Sequence, residues 1–146
     1  MLSSTSASVC VPVALSAVDD SFYPNTSFAS EFGWIGMPSL ESLSPFLGSP
    51  SEDYTMTSAA MLARQNRITP ITTSANQVKW NFGEKAAPYI NQPDRDSFRR
   101  VIHMSMLAQS DCLSAESEHY RRGRDSPHKT AGATFWSACD VITVSG

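Results

Sequence analysis

The sequence predicts an α/β fold, and three segments carry that prediction. Residues from Phe28 to Trp34 are aromatic-rich and suit a short strand, and Ala131 to Trp136 is a second such segment, small and aromatic. Between them, Asp94 to Arg122 repeats apolar residues at helical spacing over many turns. The order is strand, loop, helix, loop, long helix, strand. Strands alternating with helices, with polar residues in the loops, suit a parallel arrangement.

Each element has its own local warrant. Residues 1–20 open with a Ser/Thr-rich stretch, turn apolar over residues 9–18 and end at Asp19-Asp20. That apolar run is interrupted by Pro12, follows no Lys or Arg, and is too short to span a bilayer. It reads equally as the core of a signal peptide, a buried strand or a divergent stretch, and the compartment stays open. Tyr23-Pro24-Asn25 is a turn signal ahead of the first strand. Asn25-Thr26-Ser27 fits the glycosylation acceptor pattern, a triplet that also arises often by chance.

Gly36, Pro38, Pro45, Gly48 and Pro50 punctuate residues 36–53, which predicts a long loop with one helical turn around Leu40 to Leu43. Met56, Ala59, Ala60 and Ala63 predict a helix over Thr55 to Arg67, with Pro70 on its far side. Residues 71–93, with Trp80, Phe82, Pro88 and Tyr89, predict a loop and a short element packed by aromatics.

In the long helix, Asp94 or Asp96 is placed to accept hydrogen bonds from the first free N–H groups. Phe98, Val101, Ile102, Ser105, Gln109, Cys112, Glu116 and His119 form one stripe, which Met104, Leu107, Ala108 and Leu113 broaden. Arg121 and Arg122 suit the negative end of the helix dipole, and Gly123 suits a left-handed stop. A second apolar run follows from Val141 to Val144.

Composition excludes several classes. Apolar residues make up 41% and charged residues 17%, so the chain is neither a charged disordered segment nor a coiled coil. The net charge of -3 gives no electrostatic reason for a nucleic-acid partner. Arg121, Arg122 and Arg124 lie among Glu116, Glu118 and Asp125 and read as a solvated helix end. Cys10, Cys112 and Cys139 lack metal or disulfide-framework spacing, and His103, His119 and His128 form no ligand pair. No metal or cofactor is expected.

Glu31 stands near the end of the first strand, followed by Gly33 and Trp34. A lone Glu is more often a surface or capping residue than a catalyst, but catalytic groups in barrels sit at the carboxyl ends of strands. The segment Phe28-Ala29-Ser30-Glu31-Phe32-Gly33, with Pro38-Ser39 after it, resembles the nucleophile segment of family 2 glycoside hydrolases of the β-mannosidase type. A second stretch is similar to the last helix and strand of that family's catalytic barrel. It runs from Ser105 to Trp136, through Ala108-Gln109, Ala115-Glu116, Glu118-His119-Tyr120-Arg121-Arg122 and Gly132.

The resemblance implies a partial TIM-type (β/α)8 barrel over residues 21–140, covering roughly its last two strands and their helices. Residues 1–20 and 141–146 are then divergent ends. It makes Glu31 the nucleophile that attacks the anomeric carbon of a terminal β-D-mannose, with a second carboxyl about 5 Å away as acid/base. It also implies that Trp136, Trp34 and Asp140 bind the sugar of a β-mannoside oligosaccharide. In the family the acid/base Glu belongs to an Asn-Glu pair on an earlier strand, whereas residues 1–30 contain no Glu. The last-strand motif also breaks after Trp136.

The chain is therefore expected to be truncated at both ends, inactive alone, and prone to self-association through exposed barrel edges. Membrane association is not expected. The alternative is a non-catalytic or decayed fragment with at most weak carbohydrate binding. A related family 2 activity, on β-galactosides or β-glucuronides, is a further alternative.

Overall fold

The computed structural model describes residues 23–33, 36–63, 78–79, 81–125, 127 and 129–135. By their contacts the described residues fall into two compact units, one of residues 23–33, 109–125, 127 and 129–135, the other of residues 36–63, 78–79 and 81–108. Of the expected order of strand, loop, helix, loop, long helix and strand, the two strands and the long helix are present, with several short helical elements in place of the loop, helix and loop.

In the first unit, β1 (Phe28–Phe32) and β2 (Gly132–Phe135) pair in parallel. Phe28 faces Gly132, Ala29 faces Ala133 and Phe32 faces Phe135. The step from Ala29 to Phe32 is three residues and the matching step in β2 is two, so β1 carries a bulge at Ser30-Glu31. The buried side of the pair is formed by Ala29 and Phe32, which cluster with Tyr120 and the partly buried Leu113. Two hydrogen bonds tie the sheet together at its amino end. Thr130 Oγ1 donates to the Thr26 carbonyl at 2.7 Å, and Ala131 N donates to the Ser27 carbonyl at 2.7 Å.

The second unit is helical. Residues 36–53, expected as mostly loop, hold the predicted turn as α1 (Leu40–Leu43), and also a 3-10 turn (Ser44–Phe46) and α2 (Pro50–Asp53). The difference lies in the prolines. Pro45 and Pro50 sit in the first turn of their helices, where a missing N–H costs nothing and the fixed φ favours initiation. Pro88 does the same in α4 (Ala87–Ile90).

The helix expected from Thr55 starts later. Ser58 accepts a hydrogen bond from Met61 N at 3.2 Å and caps α3 (Ala59–Leu62). Residues 64–67 lie outside the described residues, as do Trp80, the apolar runs 9–18 and 141–144, and both expected divergent ends. This unit buries Leu40, Met56, Met61, Val78, Phe98 and Val101 in one core. Each such side chain contributes about 1.5–3 kcal/mol relative to exposure.

The long helix α5 (Arg95–Arg122) spans 28 residues. Of the two candidate caps, Asp94 acts: its Oδ1 accepts from Asp96 N at 3.0 Å and Ser97 N at 2.9 Å. The predicted stripe is buried at Phe98, Val101, Ile102, Ser105, Cys112, Glu116 and His119, joined by Ala108. Leu107 departs from expectation: it is 41% exposed, because its angular position falls outside the stripe. Gly123 departs too. It opens a 3-10 turn (Gly123–Asp125) without a left-handed φ. A Cβ there would come within 2.7 Å of Thr130 Oγ1, so the glycine serves close approach.

No helix among the described residues is long and apolar enough to cross a membrane.

Candidate functional site

The first unit positions the residue singled out from sequence. Strict alternation would send Ala29 in, Ser30 out and Glu31 in. The bulge resets this, so Ser30 and Glu31 are both exposed while Ala29 and Phe32 are both buried. Bulges re-aim side chains in this way, and they recur next to active sites. Gly33 ends the strand at φ +136°, a conformation that a side chain strongly disfavours. Glu31 is thus an outward carboxylate near the carboxyl end of a parallel strand.

Below it, a buried aromatic and ionisable cluster supports the strand. The Phe32 and Tyr120 rings meet edge to face with centroids 5.3 Å apart. His119 contacts Tyr120 at 5.2 Å and Tyr23 at 4.9 Å between centroids. Tyr120 is held protonated well into the alkaline range, its pKa pushed up to about 12 by burial first, then by the charge of Glu116, then by Tyr23. Glu116 is fully buried, although the charge pattern around it suggested a solvated helix end. Arg121 and Glu118 do behave as that pattern suggested, pairing at 3.0 Å on the surface.

Cys112 Sγ lies 3.7 Å from Glu116 Oε2. Cys112 is disulfide-bonded, which the sparse cysteine count did not suggest, so its sulfur has no hydrogen to donate.

An open groove of about 290 Å³ runs beside β2, lined by Phe32, Tyr120, Arg121, Arg124, Thr130 and Phe135 among others. Glu31 does not line it. Of the other residues picked out from sequence, Trp34, Trp136 and Asp140 lie outside the described residues. Among the described residues no His, Cys, Asp and Glu cluster has a metal-binding arrangement.

The bulge is the feature that sequence reasoning missed. Its signal was present: two successive polar residues, Ser30 and Glu31, separate apolar Ala29 from Phe32.

No family model matches the chain. Its sequence is 29% identical over 123 residues to the β-mannosidase of Capra hircus, covering 82% of this chain and 13% of that protein. It is 28% identical over 135 residues to β-mannosidase A of Aspergillus terreus, covering 86% of this chain and 14% of that protein. The β-mannosidase of Mus musculus matches at 29% over 123 residues, again 82% of this chain and 13% of that protein. The chain thus spans 13–14% of the length of these curated relatives. It contains a β-mannosidase-related region.

Proposed function

We infer that this chain is the nucleophile-bearing part of a retaining β-mannosidase of glycoside hydrolase family 2, with Glu31 as the nucleophile. The observation that carries this reading is the bulge, which turns Glu31 outward at the end of a parallel strand while its neighbours stay packed. Similarity to β-mannosidases supports the substrate class, a terminal β-D-mannoside. In a retaining mechanism such a carboxylate attacks the anomeric carbon, displaces the leaving oxygen and forms a glycosyl-enzyme ester that water later opens. Trp34 follows Phe32 by two residues and Trp136 follows Phe135, the partner of Phe32, by one. Together with Asp140 they are our proposed sugar-binding residues.

The two strands fit the last two of a (β/α)8 barrel. Parallel sheets are normally covered on both faces, whereas Phe28 is 41% and Phe135 51% exposed. Association of the isolated chain through this sheet is part of the proposal, and sedimentation at increasing concentration measures it.

Residues 1–30 hold no Glu, so the acid/base partner is not supplied upstream of Glu31 in this sequence. The test therefore uses a substrate whose leaving group needs no proton, 2,4-dinitrophenyl β-D-mannoside. The expected result is phenolate release up to one equivalent, with a mannosyl ester on the Glu31 peptide by mass spectrometry. Glu31→Gln abolishes both. Equal release from that variant defeats the nucleophile assignment.

The break in the last-strand motif after Trp136 favours a second reading, a non-catalytic fragment. Mannose titration followed by tryptophan fluorescence separates a weak sugar binder from an inert one.

A further inference from the structure

We propose that Asn25 is an N-glycan acceptor, and that the fold is built to carry the glycan at the end of β1 opposite Glu31. The chain has five asparagines, and only Asn25 is followed by any residue and then Ser or Thr, as Asn25-Thr26-Ser27. A triplet by itself carries little weight. What matters is whether the folded chain leaves that side chain outside, and here it does so between two anchors. Tyr23 is buried against His119, and Thr26 is buried with its carbonyl tied to Thr130 Oγ1. Thr26 Oγ1 also accepts from Phe28 N at 3.3 Å and donates to the Phe28 carbonyl at 3.0 Å. Asn25 is exposed between them.

Position makes a glycan there harmless to the candidate site. Asn25 precedes the amino end of β1, whereas Glu31 lies near its carboxyl end. The strand, bulge included, runs beside three residue steps of β2, about 10 Å at the usual rise.

The co-reactant is an oligosaccharide linked through pyrophosphate to a polyisoprenoid lipid. Asn25 Nδ2 forms a bond to C1 of the first N-acetylglucosamine and loses one proton. The bond from C1 to the pyrophosphate oxygen breaks, and the lipid pyrophosphate leaves with the electron pair.

The test is to express the full chain behind a cleavable secretion signal in eukaryotic cells, with removal of the signal confirming entry into the lumen. The expected result is a single-glycan step in mobility that peptide N-glycosidase removes, leaving Asp at position 25. Asn25→Gln and Ser27→Ala lose the step, and Ser27→Thr keeps it. Because the step is read on denatured protein, it does not depend on whether a variant folds. Signal-cleaved wild-type chain with no step, or a step that persists in Asn25→Gln, overturns the proposal.

Discussion

Phe32 and Tyr120 meet edge to face, ring centroids 5.3 Å apart, and this contact joins the bulged strand β1 to the last turns of α5. Both rings are buried, Phe32 at 4% and Tyr120 at 5% exposure. Truncating Phe32 to Ala is expected to cost about 3–5 kcal/mol, as for other buried aromatics. A double-mutant cycle with Tyr120→Leu should return a coupling of about 0.5–1.5 kcal/mol. Urea unfolding of the full chain measures both.

Tyr120 also sets an alkaline limit. Its pKa in the folded chain is about 12, against an ordinary value of 10.0. Between those values the unfolded chain releases a proton that the folded chain retains, so stability falls as pH rises through this window. Below pH 10 the group makes no difference to the slope. Tyr120→Phe should flatten the fall in melting temperature between pH 10 and 12 while leaving other groups' contributions in place.

At the other end of α5 the pH dependence has the opposite sign. Hydrogen bonds from Ser97 and Asp96 hold the Asp94 carboxyl below its ordinary 3.8. The cap is complete above that value and is lost as pH falls through the lower, folded-state value. Asp94→Asn should keep most of the helix, since Asn caps well, but remove this acid-dependent loss. Far-UV circular dichroism between neutral pH and pH 2 reads the difference.

Ser105 is the buried polar residue in the middle of the stripe. Its hydroxyl accepts from Met37 N at 3.0 Å and donates to the Ile102 carbonyl at 2.9 Å. Ser105→Ala leaves the Met37 N–H without that acceptor, which should cost about 1–3 kcal/mol. Denaturant midpoints check it, and faster amide exchange at Met37 is the local signature.

What was legible in the sequence was set by local spacing. The long helix showed itself because Phe98, Val101, Ile102 and Ser105 repeat with the helical period, and Asp94 because a cap acts within three residues. The strands showed themselves through aromatic and small residues. Features that depend on a distant partner did not. The bulge exists only relative to the register of β2, and Gly123 is explained by Thr130 rather than by its own φ. Glu116 looked solvated among charges, yet it is fully buried near Tyr120. Pro45, Pro50 and Pro88 looked like breaks because a proline that ends one turn and a proline that begins the next leave the same mark in a sequence.

The extra residue in β1 makes the exposure of Glu31 a matter of counting. In strict alternation, the same five residues would send the carboxylate to the side of Ala29. Losing Ser30 would restore a two-residue rhythm with Glu31 still outward and Phe32 still inward, so the sheet is expected to survive. The carboxylate would nonetheless shift along the strand, since Glu31 would then face Thr134 alone instead of sharing that position with Ser30. Replacement of Ser30, which keeps the strand phase, is therefore far easier to accommodate than its loss.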